Sequence, residues 1–364
     1  MGTGRGWGEG RVGAGRGRVR GTGDGGVGPV LGYGRAVSVL FSVAADSYEW
    51  AVREIRGVFG KVPIQRVGAD IGRVSGPAVH ELAEACDSGR IMFVRHLTSE
   101  IGSFDELPPG YELAELILGE LPEYPKALAV QAWTDRAGTG GSYFHRIEEA
   151  LGERGVSVTR SDQKWVVSCF ESPRTILLGV NRLADSLSDW PGGRMRLARG
   201  EERVSRSEFK LEEAIATFGL ELPAGGKAVD LGASPGGWTR ILREHGQEVW
   251  SVDPGYLDVR LLRDRGIHHA ETTAGRFFAE NRIRFDVVVN DMRMDQILSA
   301  RMMIDAAAHL RRGGLAVVTL KGGGKNPLDG ARRGLDVLRA EYDVLHARQL
   351  HHNRNEITVI AERR

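Results

Sequence analysis

The stretch AVDLGASPGGW, Ala228 to Trp238, carries an apolar run through an acidic residue into a glycine-rich break ahead of a helix-compatible segment. Glycine tolerates backbone angles that other residues avoid, and without a Cβ it leaves amide N–H groups open to a bound molecule. Asp253 closes the next apolar run, EVWSVD, about twenty residues on, where doubly wound folds place the carboxylate that holds ribose hydroxyls. The pair predicts a nucleoside cofactor. A dinucleotide loop would read G-x-G-x-x-G, and a phosphate-cradling loop would end Gly-Lys-Ser/Thr. Gly232, Ala233, Ser234, Pro235, Gly236 and Gly237 fit neither pattern.

Two further charged residues end apolar strands, Asp291 in FDVVVNDM and Lys321 in GLAVVTLK. Ligands in open α/β sheets sit outside the carboxyl ends of strands, so both side chains are expected in the crevice beside the glycine loop. They are either working groups there or an ion pair capping the sheet. Working groups of these types can aim a weak nucleophile and manage its proton.

The pattern D-L-G-x-x-P-G-G-W resembles the S-adenosyl-L-methionine loop of the FtsJ-type RNA ribose 2'-O-methyltransferases. That family carries a Lys-Asp-Lys-Glu tetrad, and each member has a matching context here. Lys210 lies in SRSEFKLEEAI, Asp291 in VNDM, Lys321 in TLK and Glu356 in RNEITV. The resemblance is strong from Val204 to Arg364 and weaker upstream. The flanking ARQLHHNRNEITV is similar to a subgroup that methylates a cytidine ribose of 23S ribosomal RNA and carries an N-terminal THUMP domain.

The resemblance implies that Gly232 and the run Ser234, Pro235, Gly236 and Gly237 face the methionine end of the cofactor. It gives Asp253 the ribose hydroxyls, Asp291 the methionine amino group and Ser207 of the SRS motif a further contact. Trp238 either contacts the ligand or packs on the sheet. Thr273 stands where the family usually has an acid beside the adenine amino group; its hydroxyl can still accept that hydrogen bond. Lys321 would remove or steer the hydroxyl proton. Lys210 would act as the neighbouring cation that favours a neutral lysine, whereas Asp291 and Glu356 favour a charged one.

The fold expected is α/β: a Rossmann-like class I methyltransferase sheet with a terminal antiparallel strand, preceded by a smaller α+β THUMP-like region. The boundaries read as a Gly/Arg-rich tail over 1–36, a ferredoxin-like α+β domain over 37–106 and a THUMP-like RNA-binding domain over 107–190. A linker over 191–203 and the methyltransferase domain over 204–364 complete the chain. The tail is either an RNA-sticking segment or an extension from an early start codon, and the GGGKN loop after Lys321 is either a cover over the substrate or a plain connection. Regular strands expected upstream include PIQRVGADIGRVSG, RIMFVRHLTSEI and SVTRSDQKWVVSCFE. Downstream, DVLHARQLH and EITVIAER should form a hairpin around Asn353, Arg354 and Asn355.

With 49 basic and 48 acidic residues the chain is no polybasic binder, so RNA must be gripped locally, for instance by Arg194, Arg196, Arg199 and Arg203. Two cysteines, Cys86 and Cys169, suit a reducing cytoplasm, and neither lies in the cofactor half, which argues against methylation through a cysteine adduct. No apolar run approaches the ~20 residues that span a bilayer. The pairs His268, His269 and His351, His352 lack ligand-spaced partners, so no metal is expected. The expected partner is RNA, most of all large-subunit ribosomal RNA. The alternatives are another RNA such as tRNA, or a non-catalytic RNA-binding assembly protein that keeps the fold. Adenine amino methylation usually needs a D/N-P-P-Y/F loop, and NDMRM is not one.

Overall fold

A computed structural model describes residues 38–134, 140–198, 200, 202–322 and 326–364. The expected tail, Arg199 and the central residues of the GGGKN loop, 323–325, lie outside the described residues.

The upstream half runs β1 (Ser38–Ser42), α1 (Tyr48–Phe59), β2 (Ile64–Arg66), β3 (Ile71–Ser75), α2 (Val79–Asp87) and β4 (His96–Phe104). It continues with α3 (Gly110–Leu118), β5 (Ala127–Thr134), α4 (Gly140–Gly152), β6 (Ser157–Thr159), β7 (Trp165–Glu171) and β8 (Ile176–Arg182). All eight strands join one sheet in the order β2-β3-β1-β4-β8-β7-β5-β6. The long β4 makes this possible. Its first half pairs with β1 and its second with β8, so the sheet runs on across residue 106, where a domain boundary is expected.

Three expected strands are interrupted, two by local turns and one by a contact distant in sequence. PIQRVGADIGRVSG splits into β2 and β3 because Val67 and Gly68 both donate their N–H to the Ile71 carbonyl, closing a turn. SVTRSDQKWVVSCFE splits into β6 and β7 around Asp162, whose φ of 63° breaks an extended run. RIMFVRHLTSEI becomes a strand only from His96. The Glu54 carboxyl, buried in α1, takes the N–H groups of Met92 and Phe93 at 2.9 and 3.1 Å, so those donors are not available to a neighbouring strand. The stretch 191–203 begins as a packed turn rather than a free link: Gly192 and Gly193 are buried, and Ser42 donates to the Gly192 carbonyl at 2.8 Å.

The downstream half comprises α5 (Glu208–Phe218), β9 (Lys227–Leu231), α6 (Gly237–Glu244), β10 (Glu248–Val252), β11 (Ile267–Ala270), α7 (Ala274–Glu280) and β12 (Phe285–Asn290). After these come α8 (Gln296–Ala307), β13 (Leu310–Lys321), α9 (Pro327–Leu338), β14 (Tyr342–Arg348) and β15 (Glu356–Arg363). The sheet order is β11-β10-β9-β12-β13-β15-β14, parallel except for β15, which is antiparallel to both neighbours. The expected final pair is present, with β14 at the edge and the connection running from Gln349 to Asn355.

Both faces of this sheet are covered. Val287 and Val289 pack with α5 and α6 through Leu211, Trp238 and Ile241, while Val288 packs with α8 and α9 through Met303 and Leu335. Strand side chains alternate between faces, so a strand buried on both sides reads as continuous valine. The second cluster extends to Phe41, Ile55 and Leu82 of the upstream half, so one apolar core crosses between the halves. Cys86 and Cys169 are free and buried, and burial pushes both thiols up to about 12. No described helix is long and apolar enough to cross a membrane.

Glu54 carries a pH signature. Burial pushes its carboxyl up from 4.5 to about 7 against the opposing pull of the two backbone N–H groups, and its Oε1 has no partner, which suits a neutral acid. The native state therefore holds a proton that the unfolded chain releases above 4.5. Stability from this group is full below 4.5 and falls as pH rises to about 7. Urea unfolding of the Glu54→Gln variant, compared at about pH 5 and about pH 8, should show a smaller loss of stability with pH than the parent chain. Equal losses would mean that Glu54 is ionised in the native state.

Candidate active site

The four expected catalytic residues converge from four elements. Asp291 follows β12, Lys321 ends β13, Glu356 begins β15 and Lys210 sits in the first turns of α5. Antiparallel register places Lys321 directly opposite Glu356. Lys210 Nζ lies 2.6 Å from Glu356 Oε1 and 3.1 and 3.2 Å from the two Asp291 oxygens. Lys321 Nζ donates to the Asp291 carbonyl at 2.7 Å and stands 2.8 Å from Asp291 Oδ1 and 3.9 Å from Glu356 Oε2. Two cations and two carboxylates thus interlock, with side-chain exposures running from 8% for Glu356 to 22% for Lys321. At that burial water competes weakly and the geometry is held, yet Lys321 keeps an open side.

Thr319 belongs to this cluster, donating its hydroxyl to Asp291 Oδ1 at 2.6 Å. It was legible: two residues before Lys321 on a strand means the same face. Glu213, three residues after Lys210 on α5, accepts from the backbone N–H groups of His351 and His352, each at 2.7 Å, and meets the His352 ring at 2.8 Å. Helical spacing puts it on the face of Lys210, so it too was within reach. Glu208 was not. Fully buried, it takes Arg203, Arg240 and the N–H of Ser205, which holds the SRS entrance to α5.

A cavity of about 1760 Å³ opens over the cluster, lined by Ser207, Gly232, Ser234, Pro235, Trp238, Asp253, Thr273, Asp291, Lys321 and Glu356. Gly232 has φ of 78°, and a Cβ there would strike the Met292 side chain. Gly236 and Gly237 do not line the cavity. Gly236 turns into α6 at φ of 114°, and Gly237 lets α6 close on Ser205 and Ser207, whose hydroxyls a Cβ would strike. Trp238 is buried and donates its indole N–H to the Ser207 carbonyl at 2.8 Å, positioning the loop more than facing a ligand. Asp253 accepts from the N–H groups of Ser234 and Gly255 at 3.2 and 2.6 Å, tying the glycine loop to the end of β10. Thr273 caps α7 through the N–H of Arg276 while lining the cavity.

Of the four expected arginines, Arg194 pairs with Asp70, Arg203 pairs with Glu212 at 2.9 Å, and Arg196 is exposed at the cavity rim. His268 and His352 pair with Glu248 and Glu213, and no group of three His, Cys, Asp or Glu able to hold a metal occurs among the described residues.

The model of the FtsJ-like methyltransferases matches residues 203–320. A curated relative named ribosomal RNA large subunit methyltransferase M, from Halorhodospira halophila, is 33% identical over 75% of this chain and 81% of its own length. Its namesake from Azotobacter vinelandii is 31% identical over 71% of this chain and 77% of its own. The chain belongs to the ribosomal RNA large subunit methyltransferase M family, within the FtsJ-like methyltransferases. The family's cofactor is S-adenosyl-L-methionine.

The residues present fit that cofactor. The cavity offers a carboxylate, Asp253, at the strand end where ribose hydroxyls need acceptors, and glycine-loop backbone beside it. Beneath the loop, Asp230 of β9 also lines the cavity although only 1% exposed, with its Oδ2 taking the Thr239 hydroxyl at 2.7 Å. Burial pushes its carboxyl up to about 7, a shift that Thr239 opposes and the Asp291 charge reinforces. A cofactor carrying a sulfonium and an ammonium favours the ionised carboxylate, so binding should tighten as pH rises through about 7. Calorimetric titration with S-adenosylmethionine should show that pH dependence in the parent chain and a flatter one in Asp230→Asn. A parent affinity independent of pH would dismiss Asp230 from cofactor binding.

Proposed function

We propose that this methyltransferase transfers a methyl group from S-adenosyl-L-methionine to a ribose 2'-hydroxyl of large-subunit ribosomal RNA, a cytidine of 23S RNA in the nearest reading. The observation that carries it is the interlocked set of Lys210, Asp291, Lys321 and Glu356 at the cavity. The relatives' names supply the RNA.

When bound, the cofactor supplies an electrophilic methyl group on a sulfonium. A ribose hydroxyl is a weak nucleophile that must be aimed and must lose a proton. Lys321 has an open side toward the cavity and is fixed by the Asp291 carbonyl, so its ammonium can hold the hydroxyl oxygen in one place. Asp291 and Glu356 hold both lysines, and Lys210 balances the second negative charge so that neither carboxylate is left unpaired. The departing proton would pass to Glu356 Oε2, which stands 3.9 Å from Lys321 Nζ and so beyond hydrogen-bond reach of it. Gly232, Ser234 and Pro235 would face the methionine end, Asp253 the ribose and Thr273 the adenine. Ser207, Gly236, Gly237 and Trp238 would shape the loop.

RNA phosphates have a local grip in Arg196, Arg206, Arg293 and Arg354, which line the cavity, stand exposed and pair with no carboxylate among the described residues. The upstream half, including the THUMP-like 107–190, would hold the rest of the RNA in the cytoplasm.

Incubation with labelled cofactor and unmodified 23S RNA should label a ribose. Lys321→Ala should cut turnover by about 100-fold or more while S-adenosylmethionine still binds. Label on a base would refute the assignment of the tetrad, and no label on any RNA would refute the enzyme.

A further inference from the structure

We propose that Arg95, in the upstream half, is a positioning residue for Glu356, acting through the loop that joins β14 to β15. This inference rests on the function proposed above.

Arg95 is 9% exposed on the stretch that leads into β4, and no carboxylate lies within 4.0 Å of its guanidinium among the described residues. Burying a cation without a counter-charge is costly unless its donors are used. The Nε and Nη2 donors both go to one loop. Nε donates to the Gln349 carbonyl at 3.2 Å, and Nη2 donates to the carbonyls of Leu350 and Asn353 at 2.9 and 3.4 Å. Burial lowers its pKa to about 10, which leaves it charged at neutral pH. Beside it, the Met92 carbonyl accepts the Gln349 N–H at 2.7 Å, and Met92 is itself fixed by Glu54.

From this anchor to Glu356 the chain has little freedom. The Asn353 side chain accepts from the Leu350 N–H and the Thr358 hydroxyl, both at 2.9 Å. Glu213 holds the N–H groups of His351 and His352 from the face of α5 that carries Lys210. The Asn355 carbonyl accepts from Gly322, next to Lys321. The loop thus has one clamp from the upstream half, one from the catalytic helix and one from the catalytic strand, and Glu356 follows directly. A planar guanidinium reaching three carbonyls fixes both position and tilt of the loop; an ammonium on a flexible stem fixes neither.

The test uses the full chain with Arg95→Met and Arg95→Lys. Each should lower single-turnover methyl transfer to 23S RNA by about tenfold or more, while affinity for S-adenosylhomocysteine stays within about twofold. Added guanidinium should restore part of the rate to Arg95→Ala, a response that a general loss of packing would not give. If Arg95→Met does not fold, Arg95→Lys, which keeps the charge, decides. Transfer rates within about twofold of the parent, or a rate loss matched by an equal loss of S-adenosylhomocysteine affinity, would overturn the proposal. An inactive parent chain would instead refute the proposed function, so the two failures are distinguishable.

Discussion

One carboxylate oxygen organises the site. Asp291 Oδ1 accepts from Lys210, Lys321 and Thr319, at distances between 2.6 and 3.1 Å. Charge-assisted hydrogen bonds of this kind are short and strong, and in a half-buried cluster they gain from weak competition by water. With two lysines converging, a single carboxylate would leave excess positive charge. Glu356 supplies the second, and the pairing becomes reciprocal. Each lysine then has its direction set by more than one acceptor, which is what aiming a hydroxyl needs.

This arrangement depends on the one antiparallel strand. Because β15 is inserted between β13 and β14, it starts where β13 ends, and its first residue lies opposite the last residue of β13. A parallel strand would begin at the other edge of the sheet. The parallel strands β9, β10, β12 and β13 bring their carboxyl ends, with the glycine loop, Asp253, Asp291 and Lys321, to the same edge. The antiparallel insertion delivers Glu356 there by its amino end. The loop before it must turn back across that edge, which is why it is tied so densely and why Arg95 of the upstream half reaches it.

Much of the site was readable in the chain. The glycine loop, the acid after the next strand and the charged strand ends follow from turn chemistry and from where open sheets bind ligands. Valine-rich strands announced a sheet covered on both faces. Upstream, the reading of strands erred where a contact distant in sequence removed the partners a strand needs: Glu54 takes the N–H groups of Met92 and Phe93, so an apolar, strand-like run becomes a buried loop. Glu208 and Arg95 gave no signal at all, since a lone charged residue reads as solvated surface until its burial is known.

The chain alone carries a nucleoside cofactor and the doubly wound half, because each rests on short-range spacing that local backbone geometry translates directly, whereas the candidate residues Lys210, Asp291, Lys321 and Glu356 are marked by motif contexts that resemble the FtsJ-type family. Only the tertiary structure shows that Gly236 closes on Leu261 and Gly237 on Ser205 and Ser207, that the sheet crosses residue 106 and that Asp230 shares the cavity with Asp291. It alone joined Arg95 to the loop of Glu356. These depend on burial and on partners far apart in the chain, and neither periodicity nor spacing carries that information.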